Sequence, residues 1–382
     1  MKIKKILFFT LSFINALLPK RENRIVLYGR QMLNDNLEAL LMHLIKGEYS
    51  KKYKVYCLLA DSKPFKKYSV NNIIFEENAI ISIYYLFTSK YIFHTHSLSI
   101  ATFKPQVGQV IFNLWHGSPL KYMGDLNTED SIMQKSDTYF LTTSDFFIPI
   151  NKFSYGHNIE QLYVTGNPRN DLLFSKKKVL EMLKIDTNLF SKVIMFMPTF
   201  RRSDVISKND SDIDFPILNK DNIELFNRYL ESKNILLIIK PHPYQNSLDF
   251  LQKKYSNINI YSNGDLSSAD VSLYELLGHV DCLLTDYSSV YFDFLITQKP
   301  IGFVLDDYEN YSNNRGFVVD NPLDIMPGKK IYSITDLKQF LSDLIVEKDN
   351  YIEDRMRVNN LVNKYKDNNN CKRILDFLLI TN

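Results

Sequence analysis

The sequence predicts an α/β protein built as two halves, each containing a largely parallel sheet. Short apolar runs alternate with amphipathic stretches, which is the rhythm of βα units. These runs fall into two series, separated by a predicted charged helical connector, Ser175–Lys184. A length of 382 residues corresponds to two or three domains at roughly 150 residues each. We therefore assign one half to residues 24–175 and the other to 176–345, with a basic segment at 1–23 and helices at 346–382.

Each half is defined by its predicted elements. In the first half, an amphipathic helix with the start signal Asp35/Asn36 is predicted over Asn36–Lys46. The strands predicted for this half are Arg24–Tyr28, Lys54–Leu59, Tyr91–His94, Gln109–Leu114, Thr138–Thr142 and Gln161–Val164. The strands predicted for the second half are Val193–Met197, Ile235–Ile239, Ile258–Tyr261, Asp281–Leu284 and Pro300–Leu305. Its predicted helices are Leu218–Glu231, Leu248–Lys254, Ser272–His279 and Val290–Thr297.

Composition excludes several classes of protein. With 45% hydrophobic and 23% charged residues, the chain is globular rather than disordered. Its three cysteines (Cys57, Cys282 and Cys371) lie far apart, which argues against a disulfide framework and indicates a reducing compartment. A net charge of +3 is too small for a general nucleic-acid binder. The motifs of nicotinamide Rossmann enzymes, P-loop NTPases, zincins and α/β-hydrolases are absent from the sequence.

The positive charge is concentrated at the N-terminus. Residues 1–24 carry six basic side chains and one acidic one, around the apolar stretch Ile6–Leu18. This stretch is shorter than the roughly 20 residues that a membrane-spanning helix needs. Two interpretations remain: a first helix packed on the core, or an interfacial helix whose basic residues favour anionic lipid.

The first candidate site residue is His116, which follows an apolar strand within Trp115-His116-Gly117-Ser118. Parallel sheets bind ligands at the carboxyl ends of their strands, and this is where the imidazole would lie. An ordinary pKa near 6.5 suits a histidine to abstract a proton at neutral pH. The alternative is a structural histidine in a turn. Trp115, Ser118, Lys121, His94 and His96 are further candidates on the same side, where polar loop residues are the alternative for His94 and His96.

The second half offers groups suited to phosphate. Lys240 and His242 follow a buried strand in Lys-Pro-His-Pro, and Arg201 follows another strand. Asp286, Ser288 and Ser289 lie between a buried strand and a helix, where free backbone N–H groups and hydroxyls favour an anion. Plain helix capping and solvated loops are the alternatives.

Carboxylates and a further arginine follow the last predicted strand. Asp306, Glu309 and Arg315 are candidates for contacts with ribose or glycerol hydroxyls. The acidic run Asp210–Asp214 lacks the glycine and the terminal glutamate of an EF-hand loop, which favours a solvated loop. Because every candidate lies just beyond a strand, we expect a general base on one wall of a cleft between the sheets and a phosphate site on the other. That arrangement is typical of a transferase with a nucleotide-diphosphate donor.

At these residues the sequence resembles the CDP-glycerol glycerophosphotransferase family, the primases and polymerases of teichoic acids and related capsular polymers. The resemblance covers about residues 24–345, although Ser118 stands where threonine is commoner. It implies a GT-B-like α/β fold, with two Rossmann-like domains facing across a central cleft and the nucleotide held mainly by the second. The family's two essential histidines correspond to His116 and His242, and its serine-rich phosphate contact to Ser288 and Ser289. The matching sequence motifs are Trp115–Lys121, Pro198–Arg201, Lys240–Pro243, Thr285–Phe294, Lys299–Ile301, Tyr308–Tyr311, Arg315–Phe317 and Pro327–Gly328.

The resemblance implies transfer of glycerol phosphate from CDP-glycerol to a hydroxyl of a lipid-linked saccharide or polymer, with release of CMP. We expect a peripheral enzyme at the cytoplasmic face of the cell membrane, bound to its anionic surface, with no nucleic-acid partner. No metal cage is evident and no cofactor is assigned, with a Mg²⁺ ion accompanying the donor diphosphate as an alternative. The length favours a single-addition primase over the long polymerases. A ribitol-phosphate transferase, a GT-B glycosyltransferase and a non-catalytic polysaccharide- or lipid-binding protein remain alternatives.

Overall fold

The chain forms two compact α/β units in the structure, a computed structural model. Residues 2–33, 35–96, 98, 102–121, 136–199, 215–241 and 249–382 are described, without the side chains of 2–5, 310 and 313–315. The first unit comprises Met1–Pro119, Met123–Leu172 and Val362–Asn382. The second comprises Leu120–Tyr122 and Leu173–Leu361. The last 21 residues (362–382) therefore return to the first unit, which the sequence analysis did not foresee.

The first unit is centred on a seven-stranded parallel sheet. Its order is β3-β2-β1-β4-β5-β6-β7, so the chain reverses direction across the sheet between β1 and β4. This is the doubly wound order of Rossmann folds, which place ligands beyond the carboxyl ends of the strands. The strands are β1 (Arg21–Arg30), β2 (Lys54–Leu59), β3 (Ile73–Glu76), β4 (Ser89–His94), β5 (Val110–Asn113), β6 (Tyr139–Thr142) and β7 (Leu162–Val164).

Helices cover both faces of this sheet. Strand residues that alternate along β1 supply the two cores, with Ile25 and Leu27 in one and Val26 in the other. The helices of the unit are α1 (Lys2–Leu17), α2 (Asp35–Lys46), α3 (Ala79–Thr88), α4 (Phe147–Tyr155) and α13 (Asn370–Phe377). Helix α2 begins with Asp35 and Glu38 in its first turn and ends with His43 and Lys46, charges that complement the helix dipole.

Helix α13 completes the first of these cores. Cys371, Ile374 and Leu375 are buried together with residues of α2. The carboxylate of Asp171 accepts hydrogen bonds from the backbone N–H groups of Asn370 (2.8 Å) and Cys371 (2.9 Å). These bonds satisfy N–H groups that a helix start leaves unpaired, and they fix α13 to the unit.

Helix α1 packs on the first unit, as the first of the two interpretations of the N-terminal segment predicts. Its inner face packs on the unit through Phe8, and Asn15 donates to the backbone oxygen of Lys104 and to Gln109. Its outer face exposes an apolar stripe at helical spacing, consisting of Ile6, Phe9, Phe13 and Leu17, each at least 65% exposed. The segment is thus a packed helix that leaves an unpartnered apolar face among the described residues. No described helix has both the length and the apolar character to cross a bilayer.

The second unit repeats the same winding on a six-stranded parallel sheet. The order β10-β9-β8-β11-β12-β13 reverses between β8 and β11. Its strands are β8 (Lys192–Met197), β9 (Ile235–Ile239), β10 (Ile258–Ile260), β11 (Cys282–Thr285), β12 (Ile301–Val304) and β13 (Lys329–Ile331). Its helices are α5 (Val179–Met182), α6 (Ile223–Ser232), α7 (Asn263–Ser268), α8 (Leu273–His279), α9 (Val290–Phe294), α10 (Tyr308–Arg315), α11 (Ile334–Ile345) and α12 (Ile352–Val362).

The predicted elements recur with few differences. Strands β3 and β13 were not predicted, because each is short and lies at the edge of its sheet, where apolar alternation is weak. The helix predicted at Leu248–Lys254 is wrong, since the described part contains only a 3₁₀ turn at Asp249–Leu251. Likewise, the charged stretch Ser175–Lys184 holds a helix only over Val179–Met182.

Candidate active site

The turn after β5 places His116 at the carboxyl edge of the first sheet. Trp115 adopts φ 48° and Gly117 φ 140°, both in the region that L side chains rarely occupy. The side-chain oxygen of Asn113 accepts a hydrogen bond from the Trp115 backbone N–H at 2.9 Å. A bulky residue held in this conformation costs on the order of 1–3 kcal/mol and is typical of functional sites.

Two buried side chains fix this turn from outside. The Asn36 amide nitrogen donates to the backbone oxygens of Leu114 and Trp115, both at 3.0 Å. The Arg169 guanidinium donates to the backbone oxygen of His116 at 2.9 Å. The backbone N–H of Arg169 donates to the Asn36 side-chain oxygen. The contact of Asn36 with this turn was not predicted, although Asp35/Asn36 was identified as a helix start. Arg169 was not predicted at all, because nothing in the local pattern around residue 169 indicates a catalytic neighbour.

Aromatic rings form the floor beside His116. The Trp115 ring lies 4.1 Å from the His116 ring between centroids. The Trp115 indole N–H donates to the Tyr155 hydroxyl at 3.0 Å. Trp115 therefore supports His116 and is itself held in place.

The environment of His116 favours its neutral form. The ring reaches solvent, and its Nδ1 lies 3.4 Å from the backbone oxygen of Thr95. Partial burial of the ring, together with the charges of His96 and Arg169, lowers the pKa of His116 to about 4. At neutral pH the imidazole is therefore free to accept a proton.

His94 and His96 have separate surroundings. His94 is buried, and its two ring nitrogens face the Asp137 carboxylate at 2.9 Å and the backbone oxygen of His96. His96 is exposed, and its ring stacks on that of His116. Burial prevents His94 from touching an acceptor directly, so of the two acceptor-side candidates only His96 is accessible.

Asp137 is the centre of a buried polar network that the sequence analysis missed. Besides His94, it accepts from the His157 ring at 3.0 Å and from the Asn113 amide at 2.9 Å. Burial alone would raise the pKa of Asp137, but the two imidazoles outweigh it and lower that pKa to about 2. The network ties the ends of β4 and β5 together beneath the turn that carries His116.

Ser118 and Lys121 continue the same segment. The Ser118 hydroxyl lies 2.9 Å from the Thr143 hydroxyl, so it is engaged within the first unit. Lys121 belongs to the second unit, where it forms a single antiparallel bridge with Phe317 and its ammonium lies 5.7 Å from the Tyr311 ring centroid.

In the second unit, Lys240 follows β9 and Asp286 follows β11, the two strands that flank β8. Lys240 follows β9 and is largely buried, with its ammonium 3.4 Å from the Pro241 oxygen. Asp286 is fully buried, and both its oxygens accept from the Thr199 backbone N–H at 2.9 Å. Asp286 thus fixes the chain where it leaves β8. Arg201 and His242 lie outside the described residues.

Ser288 and Ser289 precede α9 as predicted from the sequence. Both side chains are partly exposed, and the Ser288 hydroxyl lies 3.4 Å from the Val290 N–H. Ser289 occupies the N-cap position without a capping hydrogen bond from its side chain. Its hydroxyl can therefore reach a ligand.

The last group of candidates lies around α10. Asp306 is exposed and accepts from the Ile217 N–H at 2.8 Å, and Glu309 is exposed on the first turn of the helix. The side chain of Arg315 lies outside the description. Next to them, Tyr287 donates to Asp307 at 2.7 Å and stacks on Tyr311 with centroids 3.7 Å apart, a platform that the sequence analysis did not identify.

One group of described residues has donors suited to a metal ion. The donor atoms of His43, Asp171 and Cys371 lie within 4.8 Å of one another. None of the three is a predicted site residue, and the capping of α13 already explains Asp171. At the predicted phosphate site, the described carboxylates Asp286 and Asp307 are hydrogen-bonded to Thr199 and Tyr287.

Comparison with known proteins decides the family. The model of the CDP-Glycerol:Poly(glycerophosphate) glycerophosphotransferase family matches residues 10–380. The chain belongs to this family. The predicted resemblance is thereby confirmed. As a member of the glycerophosphotransferase family, the chain is a transferase of the kind that acts in teichoic acid biosynthesis.

Curated relatives of this glycerophosphotransferase-family protein include both glycerol-phosphate and ribitol-phosphate enzymes. The teichoic acid glycerol-phosphate primase of Bacillus subtilis is 30% identical over 90% of this chain and 88% of its own length. The teichoic acid poly(glycerol phosphate) polymerase of Bacillus spizizenii is 27% identical over 80% of each chain. The ribitol-phosphate polymerase TarL of Staphylococcus aureus is 25% identical over 89% of this chain and 60% of its own.

Solved structures confirm the fold class. A variant of the wall teichoic acid polymerase TagF has a TM-score of 0.75 at 22% identity, covering 98% of this chain and 92% of TagF. A UDP-GlcNAc 2-epimerase from Neisseria meningitidis has a TM-score of 0.54 at 13% identity, covering 93% of this chain and 99% of the epimerase. The family member thus has the predicted GT-B-like α/β fold, with a Rossmann-type sheet in each unit.

Proposed function

We propose that this protein transfers glycerol phosphate from CDP-glycerol to a hydroxyl of a membrane-associated, lipid-linked saccharide or polymer, in teichoic acid or capsular polymer synthesis. The observation that carries the proposal is the match to the glycerol-phosphate primase over 90% of this chain. In support of the donor, crystals of a TagF variant were soaked with CDPG.

In the proposed reaction, His116 is the general base. The acceptor hydroxyl gives its proton to His116 while its oxygen attacks the phosphorus that bears glycerol. A new P–O bond forms, the P–O bond to the CMP phosphate breaks, and CMP leaves with the electron pair. With a pKa lowered to about 4, the His116 imidazole is unprotonated at the start of the reaction and can accept the proton.

The donor would bind in the second unit. Lys240, Ser288 and Ser289 offer a cation and two hydroxyls beyond the ends of β9 and β11, groups suited to a diphosphate. We propose that Arg201 and His242 join them, and that Asp306, Glu309 and Arg315 contact ribose or glycerol hydroxyls. A Mg²⁺ ion would arrive with the diphosphate, and EDTA treatment followed by Mg²⁺ addition tests for it.

The apolar stripe on α1 would hold the enzyme on a membrane. Ile6, Phe9, Phe13 and Leu17 face outward, and Lys2, Lys4 and Lys5 precede them in the sequence. An apolar helix face next to basic residues favours the surface of an anionic bilayer. This would place the protein on the cytoplasmic leaflet, next to a lipid-linked acceptor.

The test is incubation of the protein with a defined lipid-linked acceptor and a panel of CDP-glycerol, CDP-ribitol and nucleotide sugars. Mass spectrometry of the product identifies the group added and the number of additions. Addition of glycerol phosphate supports the proposal. Selective use of CDP-ribitol, which the TarL likeness makes the second candidate, or of a nucleotide sugar would overturn the donor assignment.

His116→Ala separates a catalyst from a binding protein. Acceptor-dependent CMP release should fall by a factor of about 10³ or more, because the variant lacks the imidazole that acts as the general base. Donor binding should persist in calorimetry. Full activity of this variant would remove His116 from the mechanism.

A further inference from the structure

His96 and His116 form a parallel pair of rings at the ends of neighbouring strands. Their ring centroids are 5.1 Å apart, and the ring planes differ by 8°. The pairing follows from the sheet, because His94 of β4 lies opposite Asn113 of β5, and both chains leave the sheet together. His96 is thus placed directly against the ring that we assign as the base.

The backbone that carries His96 is held from below. Leu114 donates its N–H to the His94 backbone oxygen at 2.7 Å, and the buried His94 ring joins the His96 carbonyl to Asp137. The Thr95 hydroxyl lies 3.1 Å from His96 Nδ1, while the Thr95 carbonyl faces His116 Nδ1. One short segment therefore contacts both rings.

Among the described residues, the neighbouring groups whose charge lowers the pKa of His96 or His116 are cations or imidazoles. Arg169 reaches the backbone of His116 and is itself 3.8 Å from Asp35. Partial burial lowers the pKa of His96, and His94 and Arg30, the latter at the end of β1, lower it further. These surroundings disfavour protonation of either imidazole, so both rings are neutral when the acceptor binds.

We propose that His96 is a positioning residue that holds the His116 ring in the orientation required for proton abstraction. The inference rests on the proposed role of His116 and adds a residue to it. Contact with the tilted Trp115 ring, 4.1 Å away between centroids, and stacking on His96 together leave the His116 imidazole little rotational freedom. A ring fixed in this way keeps one nitrogen directed at the acceptor, and small losses of such alignment are costly to rate.

The test compares His96→Ala, His96→Phe and His96→Gln in the full-length protein. We expect His96→Ala to lower kcat about tenfold with an unchanged KM for the donor, since the donor does not bind through this ring. His96→Phe retains a flat ring and should restore kcat to within about threefold of wild type. Gln offers a polar group without a ring and should resemble Ala.

The pH profile provides a readout that a purely structural role would not move. Because the charge of His96 lowers the pKa of His116, both His96→Ala and His96→Phe should shift the acid limb of kcat to higher pH. His279→Gln, which removes a partly buried histidine that faces the Glu275 carbonyl in the second unit, serves as the control and should leave the limb in place.

Two results would overturn the inference. One is wild-type kcat and an unshifted acid limb in His96→Ala. The other is an equal loss of kcat in the Ala and Phe variants. Thermal unfolding of each variant shows whether a loss of kcat is due to misfolding. If His96→Ala is misfolded, the kcat of His96→Phe with a wild-type melting midpoint decides the question. If instead His116→Ala retains activity, the proposed function of His116 fails, and the His96 results are then distinguishable from that failure.

Discussion

Asn36 donates a hydrogen bond from its side-chain amide to the backbone oxygen of Trp115, linking the first turn of α2 to the residue before His116. The same nitrogen also serves Leu114, and the amide oxygen accepts from Arg169. All three bonds are made by a side chain that is 1% exposed. The strained turn therefore depends on a residue that is distant in the sequence.

Replacing Asn36 by Asp should disturb this turn without a change of size. The substitution turns a donor towards two carbonyl oxygens into an acceptor, so we expect a destabilisation of about 2 kcal/mol and a loss of activity of more than tenfold. Urea unfolding and CMP release measure the two effects. Asn23→Asp, at an exposed position, is the control, and equal behaviour of both variants would contradict this role for Asn36.

The activity should persist into mildly acidic solution. A histidine with its ordinary pKa would lose half of its base form near pH 6.5, whereas the pKa of His116 is lowered to about 4. The rate of CMP release should therefore stay flat as pH falls from about 8 to about 5 and decline only below that. Initial rates at constant ionic strength, with fluorescence as a check on folding, provide the measurement. A midpoint near 6.5 would rule out this environment for His116.

Asp137→Asn should destabilise the first unit. The substitution leaves two buried imidazoles without their carboxylate, and loss of one partner of a buried pair typically costs about 3–5 kcal/mol. In contrast, Asp145→Asn breaks an exposed pair with Lys364 and should cost less than about 1 kcal/mol. Urea unfolding of both variants at pH 7 tests the difference.

The same carboxyl predicts how stability depends on pH. The pKa of Asp137 is lowered to about 2 in the folded protein, from an ordinary value of 3.8. Its contribution is therefore present above about pH 4 and is lost as pH falls through about 2. The wild-type protein should lose more stability than Asp137→Asn over that interval.

The outer face of α1 should govern membrane binding. Phe9→Ser combined with Phe13→Ser should reduce co-sedimentation with anionic vesicles severalfold and leave stability within about 0.5 kcal/mol, since both side chains are already exposed. Val107→Ser, at a fully exposed loop position, is the control. Unchanged vesicle binding of the double variant would argue that the stripe does not contact lipid.

Ser288 and Ser289 should matter for the donor. Because their side chains are partly exposed, the double substitution to alanine should change stability by less than about 1 kcal/mol and raise the KM for CDP-glycerol about tenfold. Steady-state kinetics with varied donor provides the measurement. An unchanged KM with a lower stability would assign the two hydroxyls to capping alone.

Much of the fold could be predicted from local patterns. The central strands were predicted because strands buried on both faces read as apolar runs, as in Ile235–Ile239. The edge strands β3 and β13 were not predicted because they are only four and three residues long. The docking of α13 on the first unit could not be predicted either, since its partners Asp171 and α2 lie far away in the chain.

The sequence by itself determined the fold class, the family and the position of His116 at the end of a strand, because strand periodicity and sequence motifs are local properties of the chain. Only the tertiary structure decided which histidine is buried and which stacks on His116, and it alone brought Asn36, Arg169 and Asp137 to the turn. Burial and hydrogen bonding depend on residues that meet only after folding. The pKa of His116, like the partners of His94, therefore lies beyond what a linear pattern can predict.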